Sequence, residues 1–460
     1  MFDPAALFQP DRGQAATPLH IVDKAGLEAW LVGQPAPVRA ILQATGFKAQ
    51  PDSVAYVPHD GAMIAVAGVG EAATLRAWSL ARAADTLPEG TYRLVSGTPG
   101  DAALGWLLAQ YKFDRYKKDD TAKGPRILLT SDPARIDAVI SEAQAVALVR
   151  DMVNTPAQDM GPAEIAAEAD KLAKAHGATL TVTEGAELER GYPMVHAVGR
   201  AAARSHSPRM IELEWGDPAH PRVAIVGKGV AFDSGGLDIK PASGMRLMKK
   251  DMGGAAHAIA LAGLMMRARL KVRLHMIVPA VENAIAGNAF RPGDVLSSRK
   301  GLSVEITNTD AEGRLILGDA LARACDTIPA LLVDFATLTG AARVALGPDL
   351  PATFVNNDEL ATDALAAGLA SDDPLWRLPL HDGYDDMLKS DVADLNNAPD
   401  GGFAGSVTAA LFLRRFVAAD VPWIHLDTFA WMPAAKPGRP RGGEALGLRA
   451  IWHLLRHRFA

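Results

Sequence analysis

From about residue 160 onward the chain alternates helical patterns with short, nearly continuous apolar runs, and this rhythm restricts the fold more than any other feature. The helix-like "PAEIAAEADKLAKAHG" precedes "TLTVTE"; then come "PRMIELEW", "RVAIVGKG", "VRLHMIVPAV", "ALLVDFATL" and "WIHLDTF". Strands that are apolar along their length are covered on both faces, and helices between them supply the crossovers. The pattern therefore predicts an α/β fold whose larger C-terminal domain has a mostly parallel central sheet flanked by helices. Chemistry in such a fold gathers outside the carboxyl ends of the strands.

The first third reads as a smaller α/β domain. "SVAYVPHDGAMIAVAGVG" (53–70) resembles a hairpin, and "AATLRAWSLARAAD" (72–85) and "DAALGWLLAQYKFDRYKK" (101–118) carry helical spacing. A polar stretch, "KKDDTAKGP" (117–125), precedes the strand-like "RILLT" (126–130). A long helical pattern at 137–154 then runs to the breaker "TPAQDMGP". We divide the chain into an N-terminal α/β domain (1–135), a linker helix (136–160) and a C-terminal domain carrying the chemistry (161–460).

A length of 460 residues suits such a multidomain chain, and 49% apolar with 22% charged residues is ordinary for a globular protein. The net charge of −6 supplies no general attraction for nucleic acid or acidic lipid. Residues 1–130 balance 13 Lys and Arg against 13 Asp and Glu, so no basic surplus supports a nucleic-acid partner there either. A single cysteine, Cys325, rules out an internal disulfide framework and fits a reducing compartment. The start "MFDPAALFQPDRGQ" lacks the basic and apolar regions of a signal peptide. The longest apolar stretch, "GGAAHAIALAGLMM" (253–266), falls short of the roughly 20 residues a membrane helix needs. A cytoplasmic location is expected.

Two segments carry the candidate chemistry. "NTDAEGRLILGDAL" (308–321) sits between the alternating "LSVEIT" and a helical pattern, placing Asp310, Glu312 and Arg314 at a strand-to-helix junction. Thr309 and Glu312 have capping-box spacing, which accounts for Glu312 but not for Arg314. Upstream, "VAIVGKGVAFDSGGLDIKPASGMRLMKKDMGGAA" (223–256) carries Lys228, Asp233, Lys240 and Asp251. Its "GKG" matches neither phosphate-binding glycine pattern. Taken singly, Asp233 fits a turn, Asp251 a helix cap and Lys228 a surface charge.

Together, Asp233, Asp251, Asp310 and Glu312 all fall just after strands expected to be sheet neighbours. Four carboxylates in one crevice repel unless cations neutralise them, and oxygen donors suit divalent ions. His and Cys are missing from these segments, which argues against a structural zinc site. The residues alone point to a hydrolase that activates water with two metals. A two-metal phosphoesterase would also cluster carboxylates, but would add His ligands and a phosphate clamp.

"VGKGVAFDSGGLDIKP", "KKDMGGAA" and "NTDAEGRLILGDAL" closely resemble motifs of the leucine aminopeptidase family, the cytosolic two-zinc M17 peptidases; "RDMVNTPAQDMGP", "DFATLTGA" and "SDVADLNN" extend the likeness over about 140–430. The resemblance implies release of N-terminal, leucine-like apolar residues from peptides with a free amino terminus. It implies two divalent ions per subunit, zinc or manganese, with Asp233 and Glu312 bridging them. Asp310 would bind one ion, Asp251 and a neutral Lys228 the other. Lys240 would polarise the scissile carbonyl, and Arg314 would hold a bicarbonate acting as general base. Met248, Thr337, Leu338, Gly340 and Met432 match substrate-lining positions, and the family's usual assembly is a homohexamer. Some members also act in DNA binding. After "WIHLD" the family usually continues with small residues, whereas this chain reads "TFAWM", putting Phe429 and Trp431 where the specificity pocket would be reshaped.

Overall fold

The computed structural model describes residues 2–117 and 123–460. The middle of the polar stretch at 117–125 thus lies outside the described residues. Contacts divide the chain into two compact units: Met1–Ala147 with Met432–Arg441, and Leu148–Trp431 with Gly442–Ala460. The division falls inside a helix, Ile136–Asn154, which matches the long helical pattern read at 137–154.

The first unit contains a six-stranded sheet built from β1 (Phe8–Pro10), β2 (Thr17–Asp23), β3 (Val54–His59), β4 (Ala62–Val69), β5 (Gly90–Leu94) and β6 (Arg126–Thr130). Its order is β1-β6-β5-β2-β4-β3. The expected hairpin is β3 and β4, the sheet's antiparallel pair. The segment expected to be helical over 72–85 is helical only at Ala81–Thr86. Ahead of it the backbone groups are used elsewhere: Arg76 N–H donates to Ser79 Oγ, and Gly105 N–H donates to Ala77 O at 3.0 Å. A Cβ on Gly105 would lie 2.3 Å from that carbonyl, so this close approach requires glycine.

The second unit is layered around a nine-stranded sheet. Its strands are β7 (Thr179–Glu184), β8 (Arg209–Trp215), β9 (Arg222–Gly227), β10 (Gly229–Asp233), β11 (Arg273–Asn283), β14 (Leu331–Ala336), β15 (Ala352–Val355), β16 (Trp376–Arg377) and β18 (Trp423–Asp427). The short β12 (Val295–Ser297), β13 (Ser303–Glu305) and β17 (Leu395–Asn396) form a separate sheet. The main order is β16-β15-β18-β14-β9-β11-β8-β7, with β10 beside the far end of β11. The central run β18-β14-β9-β11 is parallel throughout, as the apolar strands predict. Antiparallel β7, β8 and β15 lie outside it.

The helices Gly253–Arg267 and Glu312–Cys325 both pack on this sheet. Nearly every residue of the first is buried, which is why its sequence is apolar without a clear period. In the second, Leu315, Ile316 and Leu317 join a large core with Ala224, Val226, Ile277, Leu332 and Trp423. That core anchors the acidic junction at 308–314.

Candidate metal centre

Lys228 occupies the break between β9 and β10, at the carboxyl end of the central sheet. Its N–H donates to Phe335 O at 2.9 Å, and its carbonyl accepts Ala255 N–H at 2.8 Å. Strand and helix meet this closely because both surfaces lack side chains: a Cβ on Gly254 would stand 2.1 Å from Phe335 O. The Lys228 side chain then runs over Gly313, where a Cβ would meet its Cε at 2.4 Å. Lys228 is 2% exposed, not a surface charge.

Asp233 ends β10, and its Oδ1 accepts Gly235 N–H and Asn283 Nδ2, each at 2.9 Å. The following turn uses positive φ at Gly235 and Gly236. Asp251 lies in the 3₁₀ turn Met248–Met252, and its Oδ1 accepts Thr337 Oγ1 at 2.8 Å. Asp310 and Glu312 follow β13. The four acids therefore do not all trail neighbouring strands of one sheet, as the sequence reading expected: β13 belongs to the small sheet, and Asp251 sits in a turn. Asn397, just after β17, accepts Thr307 and Asn308 N–H through Oδ1 and donates through Nδ2 to Asn308 O, which fixes the loop between β13 and Asp310 against the end of its neighbour β17.

The capping roles are not realised. The helix Glu312–Cys325 has Ala311 as N-cap with no side-chain cap bond, and Thr309 Oγ1 instead donates to Gly235 O. Met252, not Asp251, caps the helix Gly253–Arg267.

Asp233, Asp310 and Glu312 each present an oxygen within 4.8 Å of the others. Lys228 Nζ stands 2.7 Å from Asp251 Oδ2 and 3.0 Å from Glu312 Oε1. Lys240 Nζ stands 2.8 Å from Asp233 Oδ2 and also pairs with Asp310. Burial pushes Glu312 up to about 8, with Asp233 adding to the push, and the same two causes raise Asp310 to about 6. Burial opposes the ammonium forms of Lys228 and Lys240, but the surrounding carboxylates outweigh it and raise both. Two ammonium groups thus sit among four carboxylates, with a third, Lys250 Nζ, 3.7 Å from Asp251 Oδ1. Glu312 Oε2 is buried with no partner among the described residues, and Glu312 Oε1, Asp310 Oδ1 and Asp251 Oδ2 are met only by lysine ammonium groups, without a well-formed hydrogen bond. Clustered hard oxygens left unsatisfied in this way fit divalent cations.

A sequence profile of the cytosol aminopeptidase family's catalytic domain matches residues 147–452. The chain belongs to the M17 aminopeptidase family. A profile of the M17 N-terminal domain matches residues 17–129 as well. Among its relatives, a probable cytosol aminopeptidase of Syntrophotalea carbinolica is 43% identical over 368 residues, covering 76% of this chain and 73% of the relative. The crystal structure of a cytosol aminopeptidase from Coxiella burnetii superposes with a TM-score of 0.93 at 43% identity, covering 98% and 99% of the two chains. The bottromycin maturation enzyme BotP in complex with Mn gives 0.85 at 35% identity, with 97% and 100% covered. This M17 chain is accordingly a metallopeptidase, a hydrolase.

Around the acids, Arg314 is buried and donates one N–H to Asn397 O at 2.8 Å, while its Nε has no partner. Burial lowers it to about 10. Leu338 and Thr339 N–H both donate to Asp427 Oδ1, fixing the loop after β14 in which Thr337 lies. Gly340 begins the next helix, and Met248 opens the turn that carries Asp251. Met432 is buried and heads the segment Met432–Arg441 that groups with the first unit. Sequence reasoning did not single out Gly313, Asn283, Asn397 or Asp427. Of these, Gly313 lies inside "NTDAEGRLILGDAL", Asp427 ends "WIHLD" and Asn397 ends "SDVADLNN", whereas Asn283 carried no signal.

No helix among the described residues is long and apolar enough to cross a membrane.

Proposed function

We propose that this M17 chain is an aminopeptidase that removes the first residue of peptides with a free α-amine, using two divalent ions, zinc or manganese. The observation that carries the reading is the convergence of Asp233, Asp310 and Glu312 oxygens beside Lys228, with Glu312 buried and its Oε2 unpartnered among the described residues. Asp233 and Glu312 would be shared between the ions, with Asp310 on one side and Asp251 and Lys228 on the other. When bound, the ions supply Lewis acidity toward a water nucleophile and the scissile carbonyl. Lys228 is held protonated by the acids around it; a dication in the same place reverses that field and favours the neutral amine.

Lys240 is the half-buried cation at the mouth of the cluster, suited to donate a hydrogen bond to a substrate carbonyl oxygen as charge builds there. Arg314 has an unpartnered Nε and a planar fork, which suits a planar anion such as bicarbonate; that anion would take the proton released by the attacking water. The turn at Met248 and the loop at Thr337, Leu338 and Gly340 would hold the substrate's backbone and first side chain. For Met432 the same role rests on resemblance. A homohexamer located in the cytoplasm belongs to the same reading, on the same ground.

A panel of aminoacyl-amides, free and Nα-acetylated, assayed with added Mn²⁺ and with chelator, tests the reading. Free amides should be cleaved only with the ion present, and acetylated ones not at all. Cleavage of acetylated amides, or full activity after exhaustive chelation, would overturn it.

A further inference from the structure

We propose that the pocket for the first side chain is basic and selects peptides whose N-terminal residue is acidic, with Lys250 and Arg343 as the specificity-determining cations. The proposal rests on the aminopeptidase reading and replaces the apolar preference that the family resemblance implies.

Lys250 belongs to the same 3₁₀ turn as Met248 and Asp251, and its side chain is only 2% exposed. Among the described residues its Nζ makes no hydrogen bond. Its ion contact is Asp251 Oδ1 at 3.7 Å, beyond hydrogen-bonding reach, and that oxygen already accepts Thr337 Oγ1. What Nζ faces instead is Phe429, 5.4 Å from the ring centroid. Arg343, from the helix Gly340–Leu346, places its Cζ 4.9 Å from the same centroid and donates NH1 to Thr339 O. It also borders the proposed substrate backbone site: a Cβ on Gly340 would lie 3.6 Å from Arg343 NH2.

Two cations thus gather around one aromatic ring. The acid on this side, Asp427, is engaged, with Oδ1 accepting Leu338 and Thr339 N–H and Oδ2 accepting Thr339 Oγ1. Asp251 faces Lys228. A buried ammonium without an acceptor is costly, and a ring face returns only part of the lost hydration. An apolar substrate side chain would cover Phe429 but leave Lys250 with only the Asp251 oxygen at 3.7 Å and Arg343 without a paired carboxylate among the described residues. The carboxylate of an N-terminal Asp or Glu supplies the missing acceptor and the opposite charge, and its methylenes can lie on the ring. The competing role is structural: Lys250 and Arg343 could serve only to hold Phe429 in place, which would leave a pocket indifferent to substrate charge.

Glutamyl- and glutaminyl-amide have nearly the same shape and differ in charge, so their ratio of kcat/KM isolates the effect. The full chain, supplied with Mn²⁺, is assayed on both and on leucyl-amide. Glu should be preferred over Gln by at least about tenfold. In both Lys250→Met and Arg343→Gln the ratio should fall toward unity, a comparison internal to each variant and independent of how much of it folds. Cleavage of leucyl-amide with Gln equal to or better than Glu would overturn the charge selectivity and leave the aminopeptidase reading intact. A strong Glu preference that survives both substitutions would remove these residues from the role. Failure to cleave any of the three amides would overturn both readings.

Discussion

Gly313→Ala adds one methyl group, yet it should disable the metal centre. The new Cβ would lie 2.4 Å from Lys228 Cε and 2.6 Å from its Nζ, far inside van der Waals contact. The helix cannot retreat easily, because Leu315, Ile316 and Leu317 are locked in the core and Asn397 holds the preceding loop. The Lys228 side chain must therefore swing away. It would leave Asp251 Oδ2 (2.7 Å), Glu312 Oε1 (3.0 Å) and Thr337 O (3.2 Å). Hydrogen bonds to charged groups contribute about 1.5–3 kcal/mol each, and the alanine returns about 1 kcal/mol of helix preference. For the three contacts together a net loss of about 3.5–8 kcal/mol is the upper bound on destabilisation of the ion-free protein, and ion retention should fall by at least about tenfold if Lys228 is a ligand. Elemental analysis after dialysis against graded chelator, alongside thermal unfolding, measures it. Wild-type metal content and wild-type rate in a folded Gly313→Ala protein would refute both the packing argument and the role of Lys228.

Two other outcomes are expected. Lys240→Ala should keep both ions but lose turnover by orders of magnitude; loss of metal on dialysis would instead make Lys240 part of the ion site. Glu212 should govern part of the acid stability. Burial alone would raise it, but hydrogen bonds from His275 and Tyr192 and the charge of Arg323 hold it down to about 2, below its usual 4.5. With the folded value depressed, this stabilisation is present above about pH 4.5 and is lost as pH falls toward 2. The Tm gap between wild type and Glu212→Gln should narrow over that window, and a gap constant with pH would refute the assignment.

The parallel core strands were legible because continuous apolar runs have few other uses. The acids were legible because their types and motifs are distinctive. Lys228 was not: nothing in "GKG" indicates that its stem is sheathed between β14, a glycine-rich helix start and Gly313. The loop after β13 misled because proximity in sequence to a strand says nothing of which sheet that strand joins. Asn397, Asn283 and Asp427 act across separations of about 50 to 90 residues, where local patterns carry no trace of the partner. In the segment 72–80, helix propensity lost to tertiary hydrogen bonds, notably the one from Gly105.

The clamp by Asn397 has a consequence for biosynthesis. A nascent chain that has emerged as far as residue 380 already contains every candidate ion-binding side chain, yet it lacks the amide that ties residues 307, 308 and 311 together. It also lacks β18, a partner of β14 in the sheet beneath them. Competence to capture ions therefore arrives late in synthesis, and chains truncated before that point expose an unassembled acidic loop rather than a half-working enzyme.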